Sequence, residues 1–295
     1  MSIDVLPEPG RSVVAVLPPV AGEGHWAGAP SAVAADGRIY LAYRLRRPVG
    51  EGRGYAIVVA VSADGERFET LTTITQDEMD TDSLERPALV RTPEGRWRLY
   101  LSCATRDTKH WRVEVLEADD PAAFDPRERR TVLPGDPKTG VKDPVILRKG
   151  GRWHLWACCH PLQDPGETDR MVSDYATSAD GLDWTWHGTA LTGRPGAWDS
   201  RGARITAVRF DGDRVLAYYD GRAGAEENYE ERTGLAVGTD PAALTPVGAA
   251  PAASSPHRGG GLRYLDLVDL PGGRVRLYYE YTRADGAHEL RTELR

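Results

Sequence analysis

Several short polar stretches in this 295-residue chain combine carboxylates with arginines immediately before apolar runs: LERPA (Leu84–Ala88), VKDPV (Val141–Val145), WDSRGAR (Trp198–Arg204) and GLRYLD (Gly261–Asp266). Other polar stretches follow apolar runs: ATRDTKH (Ala104–His110), CHPLQDPGETDR (Cys159–Arg170) and DGRAGAEENYEERTG (Asp220–Gly234). A carboxylate held where water is scarce can store or deliver a proton. Arginine's planar fork matches carboxylate or phosphate. Arg86, Arg106, Arg201, Arg204, Arg222 and Arg263 are dense in these stretches although the formal net charge is -7. Internal pairing accounts for some of them. Any that stay free select an anionic ligand, such as a uronate, a sugar phosphate or phosphate itself.

These groups do chemistry together only if the fold gathers them, and a repeat provides the means. One phrase recurs: DGRIYLAYR from Asp36, EGRWRLYLS from Glu94, GGRWHLWAC from Gly150, GDRVLAYYD from Gly212 and GGRVRLYYE from Gly272. Its arginines, Arg38, Arg96, Arg152, Arg214 and Arg274, are 58, 56, 62 and 60 residues apart. Evenly spaced self-similarity of this kind marks a repeat architecture. Before each phrase lies a short β-like run (Ala32–Ala35, Ala88–Thr92, Val145–Lys149, Ile205–Phe210, Leu265–Leu270), joined to it by a Gly-rich hairpin turn. After it come a variable loop and a third run (Tyr55–Ser62, Trp111–Ala118, Val172–Ser178, Gly234–Gly238, His288–Leu294), with a weak fourth to follow.

The expected fold is all-β: a five-bladed β-propeller of four-stranded antiparallel blades in one domain spanning 1–295, with blades at about 27–80, 84–136, 140–193, 198–250 and 259–295 plus 11–17. The last repeat runs out after its third strand. Ser12–Leu17 is therefore expected to pair with Glu289–Leu294 and close the ring, since a free sheet edge is a liability. Strand interiors apolar on both faces, as at Trp153, Leu155 and Trp156, suit blades sandwiched between neighbours; His154 reads as core. In such a blade the start of strand one and the loop between strands two and three share one end, so the polar stretches above converge on one mouth of the channel.

At Glu85-Arg86-Pro87 and Asp143-Pro144, where an acidic residue leads into proline and an inner strand, the chain resembles the five-bladed propeller glycoside hydrolases of families 32, 43, 62, 68, 117 and 130. The resemblance covers nearly the whole chain as architecture and is specific at those few positions. It implies an enzyme that cleaves or transfers a glycosidic bond with carboxylates from different blades, one protonating the leaving oxygen and another activating water or attacking the anomeric carbon. The catalytic candidates are then Asp143, Glu85 and Asp199. Asp220, Glu226, Glu227 and Glu230 are secondary carboxylate candidates, since a loop positions groups less well than a strand end; substrate contacts are expected from Arg86, Arg204, Arg222, Asp220, Glu226, His160, Arg263 and Trp26. One departure stands out: Gly28-Ala29-Pro30-Ser31 has Ala29 where the family-43 pattern has an acid. That departure keeps a non-catalytic propeller binding a small molecule or sugar as an alternative, beside a phosphate-dependent phosphorylase. A protein-interaction propeller would have a flatter and more apolar mouth.

Other features narrow the partners. The acidic balance disfavours nucleic acid. Cys103, Cys158 and Cys159 form no disulfide framework and no zinc spacing, and neither a metal nor a cofactor is expected. There is no apolar stretch long enough for a bilayer and no cationic region leading an apolar run, so the expected location is cytoplasmic, without membrane partners.

Overall fold

Each copy of the arginine phrase is the second strand of an antiparallel set. The computed structural model describes residues 5–295. Near the N-terminus lies β1 (Val13–Val16). The first set follows as β2 (Trp26–Ala35), β3 (Arg38–Arg46), β4 (Gly54–Ser62) and β5 (Glu69–Thr75). The second is β6 (Leu84–Arg91), β7 (Trp97–Ala104), β8 (Trp111–Ala118) and β9 (Arg130–Leu133). The third is β10 (Thr139–Lys149), β11 (Arg152–Pro161), β12 (Val172–Ser178) and β13 (Thr185–Thr192). The fourth is β14 (Gly202–Asp211), β15 (Arg214–Arg222), β16 (Arg232–Asp240) and β17 (Ala243–Val247). The fifth is β18 (Leu262–Leu270), β19 (Arg274–Thr282), β20 (His288–Leu294) and β1, with Val13 opposite Thr292, Val14 opposite Arg291 and Val16 opposite Leu290. The second and third sets are separate four-stranded sheets. Single parallel pairings, Arg232 with Leu262 and Trp26 with His288, join the other three into one twelve-stranded sheet.

The hairpins between first and second strands follow from their residues. Asp36 and Gly37 have φ of +51° and +72°, and Gly150 and Gly151 have +60° and +80°. Two consecutive left-handed residues make the turn whose twist matches the flanking strands.

First strands begin earlier than the apolar runs suggest. The first starts at Trp26 rather than Ala32, so the polar leading residues belong to the strand. Each first strand also breaks register: between Gly28 and Ser31, Leu84 and Pro87, Lys142 and Val145, Ile205 and Ala207, and Arg263 and Asp266. Such bulges re-aim side chains and accommodate a proline that cannot donate to the ladder. Pro30, Pro87 and Pro144 all stand at them. Ala29, Asp143 and Tyr264 adopt left-handed φ of +51°, +52° and +53° there.

First strands pack beside one another in sequence, β2 with β6, β6 with β10, β10 with β14, β14 with β18, and β18 with β2, so they form a circuit. Apolar side chains fill the space between sets: Val90 and Tyr100 meet Trp153 and Leu155, and Trp156 meets Ile205 and Val215. Fully burying side chains of this size stabilises by roughly 1.5–3 kcal/mol each. His154 is half-buried in this packing, its Nδ1 2.7 Å from the Tyr175 hydroxyl. Among the described residues no helix is long and apolar enough to cross a membrane.

Candidate functional site

Where the first strands begin, the circuit opens into a polar cavity of about 260 Å³. Cations from every set line it: Arg44, Arg46 and Arg53 from the first, Lys109 from the second, Lys142 from the third, Arg204 and Arg222 from the fourth, and Arg263 from the fifth. The lining carboxylates are Asp82, Glu85, Asp169 and Glu231. Trp111, Tyr229, Tyr264 and His160 also line it.

The bulges explain the inner ring. Glu85, Lys142, Arg204 and Arg263 stand at or beside the register shift of their strands and face the cavity. Gly28 holds the equivalent place in β2, and a side chain there would collide with the Glu280 carboxylate. The first strand thus lacks an acid, and a carboxylate from β19 fills the space beside it.

Behind the lining the charges form a continuous network. Arg204 donates to Asp143 at 3.2 Å and to Asp220 at 2.7 Å. Arg263 donates to Glu231 and Glu280, both at 2.7 Å. Arg44 pairs with Glu85 and donates to Glu280 at 3.2 Å. His288 places Nδ1 2.7 Å from Glu280. Arg222 reaches Glu231 at 3.4 Å and Asp169 at 3.0 Å. Burial of charge on this scale is tolerable only because the ions are paired and hydrogen-bonded.

Within the network, titration behaviour diverges. Burial works to raise the Asp143 carboxyl, but Lys142, Arg204 and Arg44 outweigh it and hold it below its ordinary value. Glu231 and Glu280 are held down in the same way, Glu231 chiefly by Arg263 and Glu280 chiefly by Arg263 and His288. At Asp220 burial wins over Arg204 and pushes the carboxyl up to about 6. Burial, with Lys142 nearby, pushes His160 down to about 3, so its ring is neutral. The buried Cys158 thiol, 3.5 Å from His160 Nε2, is raised to about 12 and is no thiolate nucleophile.

The structure gathers some expected residues and removes others. Glu85, Arg204, Arg222, Arg263 and His160 line the cavity. Asp143 lies beneath it, fully buried, accepting from Arg204 and, at 3.2 Å, from the Arg86 backbone N–H. Asp220 also lies beneath, accepting from the Tyr264 N–H at 3.0 Å. Arg86 projects the other way, toward a second cavity, with Nε 3.3 Å from the Pro30 carbonyl. Asp199, Trp26 and Glu226 also lie off the cavity lining. Asp199 is buried in the turn before β14, where Arg194 (2.9 Å) and the Tyr219 hydroxyl (2.6 Å) consume its carboxylate. Trp26 is buried, stacked on His288 with ring centres 4.3 Å apart and capped by Arg46, so it presents no face to a ligand. Glu226 is exposed on the single-turn helix Ala225–Glu227 and does not line the cavity. Arg106 pairs with Asp80 at 2.7 Å and Arg201 with Asp169 at 2.5 Å.

Arg44, Arg46, Lys142, Tyr229, Glu231, Tyr264 and Glu280 were not anticipated. A signal for three of the network's members lies in the repeat itself: six residues beyond the phrase's arginine stand Arg44, Asp220 and Glu280. Arg44 and Arg46 alternate in β3, and period two puts both on one face. Among the described residues Arg46, Arg53 and Lys109 have no carboxylate partner. No group of three or more His, Cys, Asp or Glu among those residues could hold a metal ion.

No protein-family model matches the sequence, and no curated protein is similar to it. Solved structures are similar in fold. A thermostable family-43 glycoside hydrolase superposes with a TM-score of 0.71 at 14% identity, covering 94% of this chain and 90% of that one. The GH43_1 enzyme from Xanthomonas citri, complexed with xylose, gives 0.68 at 15% identity over 95% and 90%. The β-1,2-mannobiose phosphorylase from Listeria innocua, complexed with β-1,2-mannobiose, gives 0.67 at 16% identity over 94% and 92%. The chain shares the all-β propeller fold of these proteins.

Proposed function

We propose that this protein is a carbohydrate-active enzyme that cleaves or transfers a glycosidic bond, built as a five-bladed propeller whose ring the N-terminal strand closes. One observation carries the reading: Glu85, a carboxylate at an inner-strand bulge, faces a polar cavity at one mouth of a fold that is similar to that of glycoside hydrolases. In this reading Glu85 is the carboxylate at the anomeric carbon, accepting water's proton or stabilising the oxocarbenium-like centre. Arg44 pairs with it and fixes its position. Asp143, one layer below, places a permanent negative charge under the site and orients Arg204 and Tyr264. Asp220 does the same for Arg204 from its other side. Arg46, Arg53 and Lys109, which lack carboxylate partners among the described residues, favour a substrate with an anionic group, or phosphate as the acceptor in a phosphorylase.

The test is a panel of neutral glycosides, uronides and oligosaccharides, each with and without inorganic phosphate. Turnover is expected on at least one class, improved by an acidic sugar or by phosphate. Indifference to both would return the unpaired cations to a structural role. Glu85→Gln should retain the fold and lose turnover; equal activity in that variant would remove the reading and leave a binding propeller.

A further inference from the structure

On the reading that this cavity handles a glycosidic bond, one group must hold a proton at working pH and release it beside the leaving oxygen. The carboxylates here are poorly placed for that. Glu85 is paired with Arg44, and Glu231 is bonded by Arg263 and Arg222. Asp169, despite partial burial, is held below its usual range by Arg201 and Arg222. Asp82 sits at the rim beside Arg106. Asp220 is shifted upward but lies under the lining, occupied by Arg204 and the Tyr264 N–H. His160 is neutral, and the Tyr264 hydroxyl is turned to Asp143 at 3.4 Å.

Tyr229 differs from all of these. It lines the cavity from the segment between β15 and β16, with a backbone φ of +78°. A bulky side chain seldom adopts that conformation, and such strain concentrates at functional sites. Cations from four directions face it: Arg46 of β3, with its guanidinium carbon 4.3 Å from the ring centre, Arg53 after β3, Lys142 of β10, and Arg263 of β18 at 5.9 Å. Trp26 of β2 packs against the ring at 5.1 Å. Arg46 lies over the Tyr229 ring, and Glu231, two residues on, spends its charge on Arg263 and Arg222. Burial alone would raise the phenol; Arg46, Arg53 and Lys142 outweigh it and bring it below its ordinary value.

We infer that Tyr229 is the proton donor to the leaving-group oxygen. As the bond from the anomeric carbon to that oxygen breaks, the phenol proton passes to the oxygen and the aglycone departs as an alcohol. Water adds to the anomeric carbon and gives its proton to Glu85. Glu85 gives that proton up to solvent and the tyrosinate, held by Arg46, Arg53 and Lys142, takes one up, so the sum is one water consumed for one bond cleaved. With phosphate as acceptor, the phosphate oxygen takes water's place and its proton follows the same course.

The test compares wild type with Tyr229→Phe on two glycosides of whichever sugar the panel identifies, one methyl and one dinitrophenyl. Dinitrophenolate leaves without a proton, so the variant should lose about 10²–10⁴-fold on the methyl glycoside and keep the dinitrophenyl rate. Titration followed by tyrosinate absorbance should show one tyrosine ionising ahead of the others in wild type and not in the variant. The alkaline limb of the kcat/KM profile should disappear with it. Equal losses on both glycosides, no loss on either, or no early tyrosine in an active wild type overturns the inference and leaves the glycosidic reading standing. A wild type inert to every glycoside, with the early tyrosine present, overturns the glycosidic reading and with it the donor role.

Discussion

The two ends of the first-strand circuit are built from the same five strands and differ in almost every other respect. At the starting end the strands bulge, the left-handed residues Ala29, Asp143 and Tyr264 turn side chains, and cations and carboxylates interlock around the cavity. At the opposite end a second cavity is walled by Val33, Leu89, Val90, Ile146, Leu147 and Leu267, with the Arg86–Asp266 pair, 3.9 Å apart, as its charged centre. The hairpins there are ordinary left-handed Gly or Asp turns. Two-residue hairpins fix register and leave little chain to carry chemistry, whereas the longer loops between second and third strands can. The two mouths of one channel can thus differ in character, although the same strands run through both.

This contrast predicts the largest effect in activity. Glu85→Gln should lower turnover by about 10²–10⁴-fold, while Asp266→Asn, at the packed mouth, should leave the rate near wild type. An Asp266→Asn variant as inactive as Glu85→Gln would show that the two ends work as one site. Removing a cation from the network is next. Arg204→Met removes the cation that donates to Asp220 and one of the cations beside Asp143, and breaking buried pairs of this kind costs about 3–5 kcal/mol. Urea unfolding should register that loss; an unchanged midpoint would mean that the network relaxes around the gap.

A smaller effect should appear in pH dependence. An unfolded aspartate titrates near pH 4, and the Asp220 carboxyl is pushed up to about 6 by burial. Between about pH 4 and 6 the folded protein keeps a proton that the unfolded chain has released, so the contribution of Asp220 to stability falls as pH rises. Asp143, Glu231 and Glu280 are held below their ordinary values and act in the opposite sense: their stabilisation is present above about pH 4.5 and is lost on acidification. The stability of wild type relative to Asp220→Asn should therefore decline across pH 4–6 and then level. A flat difference would assign the raised group elsewhere. The smallest effect belongs to the packed end: Asp36→Asn breaks the exposed pair with Arg91, 2.8 Å apart, keeps a residue that tolerates left-handed φ, and should cost about 0–1 kcal/mol in the same unfolding measurement.

Much of this molecule is legible in one dimension because it repeats. The arginine phrase marks every second strand, and the alternation around it marks the faces. The surplus N-terminal run and the short last repeat point to each other, and Val13–Val16 does pair with β20. At the site, Glu85, Arg204, Arg222, Arg263 and His160 are identified by their place at strand starts and in the loops that share that end. Asp199 reads the same way in sequence and fails because a tyrosine hydroxyl one strand over, at Tyr219, and Arg194 capture it.

What the sequence determines by itself is whatever depends on local periodicity: strand positions, hairpin turns, the count of repeats and the end at which polar residues collect. Tertiary structure decides which polar groups face the cavity and which are spent on one another. The register shift at each bulge rotates neighbouring side chains apart, so that Lys142 faces the cavity while Asp143 turns beneath it. Partners such as Glu280 beside Gly28, or Arg46 over Tyr229, lie 252 and 183 residues apart along the chain and meet only when the first strands pack side by side. Coulomb interactions and burial act through space at a few ångströms, and no spacing along the chain encodes those distances.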